Sequence, residues 1–315
     1  MNIETKPLMP NFGMEVVGVD LSRPLSTDQF DQIRRLYDQH SLLLFREQDL
    51  SPEDQARISH YFGQPKIETR KQFNFREYPE VSTVGNIEDD DGKPLAFFAR
   101  GGFGWHTDGS AACHVDAATL LYAVEVPHEG GDTLFLSTAD AWDASPPELQ
   151  DALRDVSALA SFHAHNDPLL VKDPESFIPL TPLEREALPP VWHRVVQTHP
   201  VTGRTVYYLN FNPLELSGVD FETGKALLKQ ALEIASHPDR VYRHRWTPGE
   251  LIIWDNHAML HSGTPTYMYE SDRRLMLRSF VYTMPTERPL PNYEEVSKIF
   301  WPGDNSISVS EVFAH

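Results

Sequence analysis

Trp105-His106-Thr107-Asp108 opens a pattern that Trp254-Asp255-Asn256-His257 and His261 continue, followed by Arg273, Arg274 and Arg278. Two histidines and one carboxylate can hold a metal ion from one face and leave other positions open, the ligand set of non-haem iron(II) oxygenases. The arginines imply an acid beside the metal, because a guanidinium takes a carboxylate in bidentate fashion. Spacing alone does not choose the ligands. Four His-x-Asp pairs occur: His106/Asp108, His114/Asp116, His165/Asp167 and His237/Asp239. Residues two apart on a strand face the same side, so such a pair can offer both side chains to one ion. His237-Pro238-Asp239 follows a helical stretch and His165-Asn166-Asp167-Pro168 has turn character, which leaves the pairs at 106 and 114. For the remaining ligand, His257 and His261 both stand. If 275–283 is one strand, Arg274, Met276, Arg278, Phe280 and Tyr282 share a face. A buried guanidinium demands a partner, either a bound dicarboxylate or one of the chain's own acids.

The elements that must position these residues are partly legible. Ser26-Thr27-Asp28-Gln29 is a capping box, and Phe30, Ile33, Leu36 and Tyr37 follow at helical spacing, predicting a helix over 27–39. Leu42-Leu43-Leu44-Phe45 predicts a buried strand over 41–46. Ser51-Pro52-Glu53-Asp54 starts a second helix ending near Phe62-Gly63. Beyond residue 63, short strands alternate with Gly and Pro turns: 119–124, 132–136, 194–198, 205–209, 241–246, 250–254 and 275–283. Helices fall near 146–154, 182–187 and 222–235. This pattern predicts a mainly β fold with flanking helices, a jelly roll. Residues 87–104 join an acidic run (Glu88 to Asp91) to aromatics and glycines just before the candidate ligands, as an active-site lid would.

The chain has 315 residues, a net charge of −19 from 46 acidic and 27 basic residues, and one cysteine. No composition break divides it, so one domain over 1–315 is expected. The acidic balance, with no basic stripe, disfavours nucleic acid as a partner. No apolar run reaches the roughly 20 residues of a membrane span and no signal-peptide pattern opens the chain, so a soluble cytoplasmic protein is expected. A lone Cys113 fits a reducing compartment and reads as a buried thiol. Closed homo-oligomers are common, but no interface stripe specifies a number.

Several signposts, in order, resemble the taurine/2,4-dichlorophenoxyacetate dioxygenase family of iron(II)/2-oxoglutarate-dependent enzymes over nearly the whole chain. They are Gly18-Val19-Asp20-Leu21 with Arg23-Pro24-Leu25, Leu44-Phe45-Arg46 with Gln48, Phe62-Gly63, Trp105-His106-Thr107-Asp108, and Gly130-Gly131-Asp132-Thr133. Further on come Thr198-His199-Pro200 with Thr202-Gly203-Arg204, Trp254-Asp255-Asn256, His261 and Arg273-Arg274. Val241 to Trp246 and the loop before Trp105 are more similar to the 2,4-dichlorophenoxyacetate branch. The resemblance implies a double-stranded β-helix, with His106, Asp108 and His261 as iron ligands. It also implies Thr133 and Arg274 on the distal carboxylate of 2-oxoglutarate, and Arg278 toward an acidic substrate. With oxygen as second co-substrate, the implied products are succinate, carbon dioxide and a hydroxylated small organic acid.

The chain departs from the taurine pattern at Glu68 and Lys71, with Arg70 between them, at Gly102, and at His257 where the family has arginine. These departures place Glu68, Lys71 and Gly102 in the substrate pocket and point away from taurine, toward an aryloxyalkanoate-like carboxylate whose body Phe97, Phe98 and Phe103 would suit. An alkylsulfonate or amino-acid derivative is the alternative within the family. Outside it stand a zinc hydrolase, which uses similar ligands, and a non-catalytic jelly roll that binds a small acid.

Overall fold

The computed structural model describes residues 3–68, 71–97, 104–111, 116–172, 179–209, 212–264, 272–282, 299 and 306–313. In chain order the strands are β1 (Glu4–Pro7), β2 (Met14–Val17), β3 (Leu42–Phe45), β4 (Gln64–Lys66), β5 (Ser82–Gly85), β6 (Asp116–Glu125), β7 (Thr133–Ser137) and β8 (Ser157–Ala160). They continue with β9 (Val191–Arg194), β10 (Val196–Thr198), β11 (Thr205–Tyr207), β12 (Glu215–Ser217), β13 (Tyr242–His244), β14 (Leu251–Asp255), β15 (Met259–Gly263) and β16 (Leu275–Tyr282). The helices are α1 (Thr27–His40), α2 (Pro52–Phe62), α3 (Thr138–Ala144), α4 (Pro147–Leu153), α5 (Phe162–Lys172), α6 (Pro182–Glu186), α7 (Phe221–Ala235) and α8 (Val309–Phe313).

Both N-terminal helices begin where their caps predict. Ser26 with Gln29, and Ser51 with Asp54, exchange reciprocal side-chain to backbone hydrogen bonds that satisfy amides at each helix start. Ser41 closes α1 in the left-handed conformation, with φ 58°. The two helices cover one face of an eight-stranded sheet, ordered β1-β2-β3-β14-β6-β16-β4, with β5 also on β16. Its pairs are antiparallel except β2 with β3. A second, three-stranded sheet runs β13-β7-β15, and an isolated bridge from His106 to His261 extends it by one segment.

Strand alternation sorts the core into layers. Leu43, Phe45, Leu120, Tyr122, Ile253 and Leu277 face the helices and pack with Ile33, Tyr37, Ile58 and Phe62. Their neighbours Leu44, Leu121, Ile252, Trp254 and Met276 face the small sheet and meet Phe135 and Met259. On the far side of the small sheet, Leu136 and Leu260 join Trp142, Leu153, Leu228 and Ala231 from α3, α4 and α7. The run Leu42 to Phe45 lacks polar interruption because both faces of β3 are covered.

One expectation needs correction. His165 to Pro168, read as a turn, lies inside α5, which carries Pro168 in its interior. Leu169 and Leu170 of that helix pack against Phe73 and Phe97, and this packing outweighs the backbone hydrogen bond that proline forfeits. Within the expected loop 87–104, the described residues 87–97 make contacts of their own. Asp89 and Lys93 close a turn, Leu95 bonds back to Ile87, and Ile87, Leu95 and Ala96 join the helix-side core. Residues 98–103, with Phe98, Gly102 and Phe103, lie outside the described residues, as do Arg70, Cys113 and His114. No helix among the described residues is long and apolar enough to cross a membrane.

Candidate metal centre

A corner of three residues joins β14, in the large sheet, to β15, in the small one. The chain thus turns from Asp255 into a strand that carries His261 back toward His106. His106 and His261 exchange backbone hydrogen bonds of 3.0 and 2.8 Å. Directly opposed residues of an antiparallel pair point to one side, and the ring centroids lie 4.1 Å apart. Asp108 completes the group: its Oδ1 is 3.9 Å from His106 Nε2 and its Oδ2 is 3.7 Å from His261 Nε2. Donor atoms of all three lie within 4.8 Å of one another, the one such cluster among the described residues.

The separations exceed hydrogen-bond length, and ligand bonds of about 2 Å would bridge them. His106 Nδ1 lies 2.8 Å from the Gly104 carbonyl and donates to it, which makes Nε2, on the Asp108 side of the ring, the atom that would take a cation. The buried His261 ring packs on Trp254, at 4.8 Å between centroids. Burial, reinforced by His106 and only partly offset by Asp108, pushes the His261 imidazole down to about 3, so it is neutral at physiological pH. Burial alone would raise the Asp108 carboxyl. His261, His106, Arg278 and the Thr119 hydroxyl overcome this and hold it below the ordinary carboxylate range. Two imidazoles and one ionised carboxylate form a donor set that fits a divalent metal.

A polar relay holds the carboxylate. Trp254 Nε1 donates to Asn256 Oδ1 (3.0 Å), Asn256 Nδ2 donates to Thr119 Oγ1 (2.8 Å), and Thr119 Oγ1 donates to Asp108 Oδ2 (2.7 Å). Thr107 Oγ1 donates to the Asn256 carbonyl at 2.6 Å. Sequence reasoning missed Thr119, although a threonine inside the apolar run Ala117-Ala118-Thr119-Leu120-Leu121 was the available signal.

The other candidates are dispersed. His237 and Asp239 lie on an exposed 3-10 turn, Pro238–Arg240. Asp167 pairs with Arg185 at 2.7 Å. His257 packs 5.5 Å from His199, whose Nε2 donates to the buried Asp255 at 2.7 Å, away from the cluster. Thr133 opens β7, where its Oγ1 accepts from Trp246 Nε1 at 2.9 Å. Arg274 precedes β16 and its amide donates to Asn86 Oδ1 at 2.7 Å. Arg278 does project toward the cluster, where its charge acts on Asp108 and His261. It is nevertheless paired with Glu68, Nη2 to Oε2 at 2.7 Å. The two sequence candidates are thus each other's partners. The Lys71 side chain and Gly102 lie outside the described residues.

The family described as "Taurine catabolism dioxygenase TauD, TfdA family" matches residues 4–280. An alpha-ketoglutarate-dependent 2,4-dichlorophenoxyacetate dioxygenase of Cupriavidus pinatubonensis is 34% identical over 272 residues, covering 84% of this chain and 92% of that protein. The (S)-phenoxypropionate/alpha-ketoglutarate-dioxygenase of Sphingobium herbicidovorans is 29% identical, covering 87% and 92%. Among solved structures, a taurine dioxygenase from Burkholderia xenovorans superposes with a TM-score of 0.72 at 27% identity, covering 90% of this chain and 91% of that one. AAD-2 in complex with Mn(II) and N-oxalylglycine gives 0.72 at 27% identity, covering 92% and 100%. Sequence, architecture and the His106–Asp108–His261 cluster agree: the chain belongs to the TauD/TfdA dioxygenase family.

Proposed function

We propose that the protein is an Fe(II)- and 2-oxoglutarate-dependent dioxygenase that hydroxylates a small organic acid, a carboxylate, and releases succinate and carbon dioxide. The convergence of His106, Asp108 and His261 carries this reading. Those three side chains would hold the iron, which supplies oxygen activation coupled to decarboxylation of 2-oxoglutarate. Thr133 and Arg274 would receive the distal carboxylate of 2-oxoglutarate, and Arg278, Glu68, Lys71 and Gly102 would line the substrate end. Phe135 and Trp254 pack on the His261 ring and bury it, and a less polar surrounding strengthens electrostatic contacts there. A carboxylate on an aromatic body is supported by the relatives named for 2,4-dichlorophenoxyacetate and (S)-phenoxypropionate.

The same proposal covers the architecture. We read the order β5-β16-β6-β14, with the His106 segment, β15, β7 and β13 in the second sheet, as a double-stranded β-helix built as one domain, a reading that the pairing of these strands supports.

Anaerobic addition of Fe(II) and 2-oxoglutarate should give a weak visible absorption band, and admitting oxygen should give succinate. A zinc hydrolase or a simple acid binder would do neither. Asp108→Ala is expected to abolish substrate oxidation, a loss of at least about a hundredfold, read as succinate and product together. Full activity in that variant would sink the assignment. Arg274→Ala should chiefly raise the 2-oxoglutarate concentration needed for half-maximal rate.

A further inference from the structure

Arg278 faces the metal cluster, but its fork is already filled. Nε and Nη2 donate to Glu68 Oε1 at 3.0 and 2.8 Å, and Nη2 also reaches Oε2 at 2.7 Å. Ser82 Oγ donates to the same Oε1. The pair is built into the edge of β16. β4 takes residues 280–282 of that strand and β5 takes 275–278, so Glu68 just past β4 and Ser82 opposite Arg278 meet where the two partners adjoin. Both charged side chains are largely buried, at 15% and 9% exposure.

A buried ion pair is a poor source of stability, because desolvation offsets most of its attraction, while removing one partner leaves a costly unpaired charge. An acid that takes the Arg278 Nε and Nη2 donors must displace Glu68 and leave that buried carboxylate without its counter-charge, held only by the Ser82 hydroxyl. An acid that also carries a cationic group relieves this penalty, since each protein charge exchanges one partner for another. A like charge placed in a recognition site discriminates against the wrong ligand as strongly as a complementary one selects the right ligand.

Resting on the dioxygenase reading above, we propose that Glu68 is a specificity-determining residue. It occupies the Arg278 fork as an internal carboxylate, disfavours simple monoacids, and favours substrates that bring an ammonium group with their carboxylate, as amino-acid-type zwitterions do.

The test is calorimetry on the full chain loaded with Fe(II) and 2-oxoglutarate under argon, using two probes of one skeleton, 3-phenylpropanoate and phenylalanine. The wild-type protein should favour phenylalanine by about tenfold or more. Glu68→Gln should shift the ratio the other way, tightening 3-phenylpropanoate and weakening phenylalanine. Wild-type preference for 3-phenylpropanoate, failure of phenylalanine to bind, or an unchanged ratio in Glu68→Gln would each overturn the proposal. Thermal melting checks that the variant folds, and the wild-type comparison stands without it. The 2-oxoglutarate titration comes first. Its failure defeats the dioxygenase reading, whereas its success with an unaltered probe ratio defeats only the role of Glu68.

Discussion

Three donor atoms make a metal site only if something keeps them aimed, and here much of that work falls to neutral side chains. Thr119 occupies Asp108 Oδ2 and is itself oriented by Asn256. One carboxylate oxygen is therefore engaged by a hydroxyl, which limits how far the group can turn toward a metal. Thr119→Val keeps the shape but removes the donor. It should weaken Mn(II) binding by about tenfold in calorimetry, as loss of a partner behind a ligand commonly does. Thr119→Ser should restore the affinity. Equal affinity in all three proteins would show that the relay is decorative. Residue types alone named the two histidines and the aspartate among several equivalent candidates. Spacing left His257 and His261 open and the family resemblance implied His261; the corner after Asp255 supplies the physical reason, because the two are four residues apart and only His261 lands on the strand facing His106.

At the scale of elements, legibility followed the strength of local signals. The capped helices α1 and α2 and the uninterrupted β3 were readable because their hydrogen bonds and burial are encoded within a few residues. β15 was not, since it lies only three residues after β14 yet belongs to the other sheet, and no hairpin signal marks such a corner. α5 ran against its own proline, because Leu169 and Leu170 found a core with Phe73 and Phe97 that no local rule reveals. β5 shows how tightly these elements abut. A Cβ on Gly85 would lie 1.9 Å from the Arg274 carbonyl oxygen. Gly85→Ala should push apart β5 and the start of β16, displacing Arg274. The 2-oxoglutarate concentration for half-maximal succinate formation should then rise by about tenfold or more. An unaltered 2-oxoglutarate titration curve would separate this contact from co-substrate binding.

For the whole molecule, burial has a pH signature. His244 and His257 are both held well below the ordinary value of 6.5, to about 3 and about 4, with burial the main cause in each. The unfolded chain takes up protons below about pH 6.5 that these folded imidazoles exclude, so acid favours unfolding. Stability should be complete above 6.5 and should decline as pH falls through the window down to 4 and then 3. The contribution of His257 at the lower end is about 3 kcal/mol, from about 1.4 kcal/mol for each decade of proton concentration. Melting temperatures between pH 7 and 4 should fall, and His257→Asn should flatten the slope. A flat wild-type profile would contradict the buried neutral state. The charge of −19 bears on partners and not on this fold. By itself the sequence determined the family, the ligand types and the locally encoded elements, because signposts in a fixed order and capping chemistry are properties of the linear chain. Only the tertiary structure decided how His106 and His261 are brought to Asp108, that Thr119 and Asn256 hold it, and that Glu68 fills the Arg278 fork. Those contacts join residues up to 210 positions apart, where no local pattern can specify the pairing and only the closing of the sheets brings the groups into range.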